Sequence, residues 1–137
     1  MINSINEAVQ TVSTNGNVLF ASDVVRTRSA TCCGWLQHNA GSGLFELTKA
    51  GVYEITFNAN TTSATAGELS LALKSNGEQL TGTEMDTTIT TANEYQNVSI
   101  SRLVRVCGNA STTITVGNIG TLDTLIKNAN IIIKKLG

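Results

Sequence analysis

The residues able to carry out covalent or metal chemistry are few, and their spacing sorts them. His38 is the single histidine and so the only imidazole available as a general base. It sits in Gln37-His38-Asn39-Ala40-Gly41, a polar stretch expected to form an exposed loop, and no Gly-x-Ser-x-Gly turn presents a serine to it. Three cysteines, Cys32, Cys33 and Cys107, cannot all pair with one another, and adjacent cysteines rarely bridge because a disulfide needs their Cα atoms further apart. All three are expected to be reduced, small and buried. A zinc site would need a fourth ligand, and His38 is the only residue offered for it. Glu84 and Asp86, two residues apart, could share a cation or work as paired carboxylates, but the Thr-rich stretch around them fits solvated acids, and no Asp-x-Asp-x-Asp calcium loop supports them. Trp35 could stack on a sugar ring if its face were open; its alternation with Leu36 predicts partial burial in a strand. The expectation is no catalysis, no cofactor and no metal, with Trp35 as the glycan-binding residue if there is one.

Those residues belong to a chain of 137 that reads as one domain, residues 1–137. Charged side chains are 14% of it, nine basic against ten acidic, with a net charge of −1. No basic block supplies the electrostatic footprint of a nucleic-acid or anionic-membrane binder. Thr, Asn and Ser make up about a third of the chain and provide the polar surface that charges do not, a composition that favours strands. The first ten residues lack the basic and apolar regions of a secretory leader, so synthesis in a cytosol is expected. The longest apolar run considered, Ile131-Ile132-Ile133, is far short of a membrane helix.

With no proline in the chain, turns must be read from Gly, Asn, Asp and Ser. Asn15-Gly16, Gly41-Ser42-Gly43, Ala50-Gly51, Asn76-Gly77, Gly108-Asn109 and Gly120 punctuate it. Between them Tyr53, Ile55, Phe57 and Ala59 alternate with Val52, Glu54, Thr56 and Asn58, the period of a half-buried strand. Leu69, Leu71 and Leu73 repeat the pattern, and Asn76-Gly77 turns that strand back as a hairpin through Glu78 to Thr83. Tyr95 to Cys107, Thr112 to Asn118 and Asn130 to Leu136 read as further strands, with shorter ones at Val18 to Phe20 and Leu44 to Leu47. Met85 to Asn93 reads as a connecting loop or sheet edge. Eight or nine short strands predict an all-β, antiparallel two-sheet sandwich, a Greek key or jelly roll.

A lone sandwich should be apolar toward its core and polar toward water, yet two strands are apolar on both sides. If Ile131 and Ile133 face the core, Ile132 faces away; Leu103-Val104 and Val106-Cys107 do the same in the Tyr95 to Cys107 strand. Burial of such outward groups against a partner copy would be worth roughly 1.5 to 3 kcal/mol for each Ile or Val. Val52, Glu54, Arg102, Val104 and Ile132 are therefore the candidate oligomer-interface residues. A bulge in the register, or a loop covering the second face, is the alternative. Arg102 and Arg105, in an otherwise apolar strand, could meet Glu54 in an ion pair between subunits; ordinary surface pairing is the other reading. Asn60, Asn97 and Asn109 head N-x-[ST] triplets, which are taken as chance in an Asn/Thr-rich chain.

The segment Leu44-Phe45-Glu46-Leu47-Thr48-Lys49-Ala50-Gly51-Val52-Tyr53-Glu54-Ile55-Thr56-Phe57 is similar to the signature of C1q/tumour-necrosis-factor-like jelly rolls, a short strand followed by Gly-x-Tyr and an alternating apolar strand. Asn15-Gly16-Asn17-Val18-Leu19-Phe20 before it and Ala129 to Leu136 after it extend the resemblance over nearly the whole chain. The resemblance implies a homotrimer in which one sheet of each jelly roll packs on its neighbours around a threefold axis. It departs from the secreted members of that group, since it shows no Gly-x-y stalk, leader or anchor, and only 4% aromatic residues. In this it resembles stand-alone bacteriophage virion components and bacterial spore-surface heads. That implies a non-enzymatic protein of the virion, assembled in the host cytoplasm, that binds the major capsid protein or another virion protein at threefold or quasi-threefold positions and stabilises the shell. The alternative implied is a receptor-binding head of a phage fibre or spore-surface protein that recognises a host surface glycan. Met1 to Val12 is then either an attachment arm or the first strand.

Overall fold

A computed structural model describes residues 1–27, 34–108 and 111–137. Cys32, Cys33 and Asn109 lie outside the described residues. Twelve strands run through the rest: β1 (Ile2–Asn6), β2 (Gln10–Val12), β3 (Ser22–Arg26), β4 (Leu36–Gln37), β5 (Phe45–Leu47), β6 (Gly51–Thr62), β7 (Gly67–Ser75), β8 (Glu78–Gln79), β9 (Met85–Ile89), β10 (Gln96–Val106), β11 (Thr112–Asn118) and β12 (Thr124–Lys135). They form two antiparallel sheets. The first has the order β10-β6-β12-β1-β3, with β2 also on β12; the second has the order β4-β5-β11-β7-β8, with β9 also on β7. The described residues contain no helix, so no helix is long and apolar enough to cross a membrane.

The alternation in β6 sets the pattern for the whole sandwich. Tyr53, Ile55, Phe57 and Ala59 are buried between the sheets while Val52, Glu54, Thr56 and Asn58 point outward. From the facing sheet, Leu69, Leu71, Leu73, Ile114 and Val116 fill the other half of the core. Phe20 meets Phe45 and Phe57 edge to face, with ring centroids 5.4 and 6.2 Å apart. Val18 to Phe20 is not a strand, although both end residues are fully buried; it is held by a bond from the Val18 amide to the Val116 carbonyl. Asn76 and Gly77, with φ of 52° and 85°, make the tight β7–β8 hairpin turn, a left-handed pair that the right-handed twist of the strands prefers. Met85 to Asn93 supplies an edge strand, β9, on β7.

Two features concern the ends of the first sheet. Met1 to Val12 is woven into it: β1 pairs with the end of β12, Ile2 opposite Ile133, and β2 pairs with its start, Val12 opposite Thr124. Strand β12 also carries one extra residue between Lys127 and Asn130, where Asn128 takes a φ of 52°. Before this bulge Thr124 and Ile126 are the buried positions; after it they are Ala129, Ile131 and Ile133.

Candidate functional site

The outward face of the first sheet carries several of the apolar groups that the core does not use; others, such as Val9, Leu19 and Leu44, are exposed elsewhere. Residues directly opposite on antiparallel strands share a face. Ser101, Thr56, Ile132, Asn3 and Val25 accordingly form one row across β10, β6, β12, β1 and β3. Leu103, Glu54 and Lys134 form a neighbouring row, and Arg105 stands opposite Val52 beyond it. Ile132 and Val52 are half-buried, whereas Leu103 and Val25 are 55% and 46% exposed. The polar side chains between them pair with one another. Asn3 Nδ2 donates to Asn130 Oδ1 and to the Ile131 carbonyl, Thr56 Oγ1 meets Ser101 Oγ at 3.2 Å, and Asn97 Nδ2 donates to Asn60 Oδ1 at 3.1 Å. These particular amides and hydroxyls can be covered without stranding them, whereas Asn58, Glu54, Lys134 and Arg105 on the same face have no side-chain partner among the described residues and would need one from a neighbour.

The outward face of the second sheet is different in kind. Its rows run Gln37, Glu46 and Thr113; Thr115 and Lys74; Ser70 and Asp86; Glu68 and Thr88. Charges and hydroxyls dominate these rows, although Thr115 and the adjoining Ala72 are buried and the Lys74 side chain lies over Gly117.

Against this geometry the expected interface residues divide. Val52, Glu54 and Ile132 lie on the outward face. Val104 does not: it is 5% exposed and belongs to the core, because Val98, Val104 and Val106 hold the inward positions of β10 and leave Leu103 and Arg105 outside. Arg102 shares that inward parity at the edge of the sheet, where its Nη2 donates to Thr81 Oγ1 at 3.4 Å. It therefore cannot meet Glu54 of its own chain, whose cross-strand neighbours are Leu103 and Lys134. Cys107 is a free thiol but exposed rather than buried. Trp35 is 6% exposed and packs on Tyr53 with ring centroids 5.3 Å apart, so it offers no open platform to a sugar.

His38 is buried, not on an exposed loop. Its position continues the alternation Leu36 in, Gln37 out, His38 in, a signal present in the sequence. The ring stacks on Phe45 at 4.1 Å with planes 6° apart. Nδ1 lies 2.8 Å from Asp23 Oδ1, and Nε2 lies 2.9 Å from the Ser42 carbonyl oxygen. Arg26 Nη1 donates to Asp23 Oδ2 at 3.0 Å and to the His38 carbonyl at 3.1 Å. With both ring nitrogens engaged and the side chain wholly enclosed, His38 is out of a substrate's reach. It ties the edge of one sheet to the edge of the other. Asp23 and Arg26 were not singled out by sequence, because nothing local marks them as partners of a residue more than ten positions on.

Glu84 is exposed beside Asp86, whose Oδ1 accepts a 2.7 Å hydrogen bond from Ser70. The Asp86 carboxylate, with smaller contributions from desolvation, a hydrogen bond to Asp86 and the charge of Glu68, pushes the Glu84 carboxyl above its usual range. No group of three potential metal ligands occurs among the described residues.

No family model matches this chain, and no curated protein matches its sequence. Solved structures do match its fold. The globular domain of zebrafish complement 1qA superposes with a TM-score of 0.71 at 13% identity, covering 99% of this chain and 96% of that one. The Eiger TNF of S. frugiperda gives a TM-score of 0.72 at 10% identity, covering 99% and 92%. Murine APRIL gives 0.62 at 12% identity, covering 98% and 97%. Strand order and these likenesses together make the chain a two-sheet antiparallel jelly roll of the C1q/TNF-like fold.

Proposed function

We propose that this protein acts without catalysis, as a homotrimer assembled through the outward face of the β10-β6-β12-β1-β3 sheet, and that the trimer decorates a virion shell. The observation that carries the assembly is that face: half-buried Ile132 and Val52 with exposed Leu103 and Val25, set among side-chain amides and hydroxyls that bond each other. Covering it removes apolar area from water without stranding the bonded amides and hydroxyls, and the unpaired Glu54, Lys134 and Arg105 on the same face would find their partners across the interface. The fold likeness supports the number three, since the resemblance to C1q/TNF-like jelly rolls implies threefold packing of one sheet. Closed threefold symmetry in turn matches the threefold and quasi-threefold points of an icosahedral shell, where a trimer bound to the major capsid protein would raise the free energy of taking the lattice apart. Since β1 and β2 are strands of the sandwich, attachment falls to loops and faces of the trimer rather than to a free arm.

Sedimentation of the purified protein, alone and mixed with empty capsids, tests both steps. The expected result is a trimer that co-sediments with shells. A monomer at micromolar concentration overturns the assembly. A trimer that ignores capsids and binds whole host cells replaces decoration with host recognition.

A further inference from the structure

At the end of the sandwich opposite the chain termini lies a cleft of about 500 Å³, formed where Thr11 of β2, the β6–β7 turn, the β11–β12 connection and Leu125 of β12 converge. From the residues that line it we infer that this cleft binds a neutral saccharide. Its size is that of a small-molecule site. Thr11, Thr65, Thr121 and Asp123, all exposed, line its polar rim, while half-buried Leu122 and Leu125 supply an apolar side. Asp123 has no hydrogen bond or ion pair among the described residues, so both its oxygens are free to accept. A carboxylate takes two vicinal sugar hydroxyls as a bidentate acceptor, threonine hydroxyls can donate or accept with the rest, and leucine side chains cover the C–H face of the ring. No Lys, Arg or His lines the cleft, which leaves an anionic ligand without a counter-charge. One carboxylate is also too few for a calcium ion.

The backbone beneath the cleft is tied together. Asn118, fully buried, donates from Nδ2 to the Leu122 and Val12 carbonyls, each at 2.9 Å, and its Oδ1 accepts from the Gly120 amide at 2.9 Å. One side chain thus pins β2 and the β11–β12 connection together beneath the site. Leu122 in turn lies against Gly67, where an added Cβ would stand 2.6 Å from Leu122 Cδ1. Ligand groups would meet a wall already in place, which lowers the ordering cost of binding. In a trimer three such clefts would present together, and weak single sites would add through avidity. The site itself does not depend on that assembly.

The test is a titration of isotope-labelled protein, followed by amide shifts, with glucose, galactose and N-acetylglucosamine in turn, and with propylammonium as a cationic control. At least one sugar should produce saturable shifts at Thr65, Thr121 and Asp123. Asp123→Ala should weaken that binding about tenfold or more, equivalent to at least ~1.4 kcal/mol, with the rest of the spectrum unchanged. The inference is overturned by no saturable shift with any of the three sugars, by shifts that Asp123→Ala leaves as they were, or by a response to the ammonium ion alone. Because each cleft is read singly, failure here leaves the trimer proposal standing, and a monomeric protein leaves this one standing.

Discussion

Replacing Ile132 with aspartate should take the trimer apart while each sandwich stays folded. In the isolated chain Ile132 is already half covered by its cross-strand neighbours Thr56 and Asn3, so what a partner copy adds is the remaining part of its burial, about 1 kcal/mol per copy. Symmetry counts that loss three times, which is about two orders of magnitude in the association constant from the apolar loss alone. Three carboxylates forced under cover of a neighbour add several kcal/mol more, because none has a cation waiting on its row. Within the monomer the substitution gives up only the half-coverage by Thr56 and Asn3 and some strand preference, about 1–2 kcal/mol. Light-scattering mass at micromolar concentration, with circular dichroism as the check on folding, should show a trimer for the native protein and a folded monomer for the variant. Thr113→Asp, on the outward face of the other sheet, should leave the trimer intact. An unchanged mass for Ile132→Asp, or equal dissociation by Thr113→Asp, would refute the placement of the interface.

Two further outcomes follow from the same geometry. His38→Phe keeps the stack on Phe45 but strands the Ser42 carbonyl and leaves Asp23 to Arg26, so urea unfolding should show a loss of about 2–4 kcal/mol; a change under about 0.5 would mean that the ring serves by shape alone. At Glu84 the folded-state carboxyl is raised by Asp86, so the folded protein holds that proton more tightly than the unfolded chain does. Its contribution to stability is therefore present below the unfolded carboxylate range and lost as pH rises through the raised folded value. Glu84→Gln should melt higher than the native protein at pH 7 and about level with it near pH 3, and an advantage that persisted undiminished at pH 3 would count against the charge repulsion.

Much of the fold was legible because it rests on local rules. The period of two in β6, the Asn76-Gly77 turn and the three consecutive isoleucines each state their geometry within a few residues. What was not legible rests on parity or on distance. Leu103-Val104 reads the same with either residue outward, and only the pairing of β10 with β6 decides that Leu103 shares the face of Glu54. β3 gave no alternating run of its own, and its edge position, with Asp23 and Arg26 turned in, depends on β1 beside it. The cleft joins residues more than a hundred positions apart, and no spacing in a sequence marks such a meeting.

The single supernumerary residue at Asn128 decides more than a kink. Were β12 regular, the positions in phase with Ile126 would be Asn128, Asn130, Ile132 and Lys134, and the strand would turn two amides and an ammonium into the oil while wetting Ile131 and Ile133. A swap at partly exposed Lys127 is thus a minor edit beside the loss or gain of one residue there, which turns the last stretch of the chain inside out. The length of this segment is under tighter restraint than its letters.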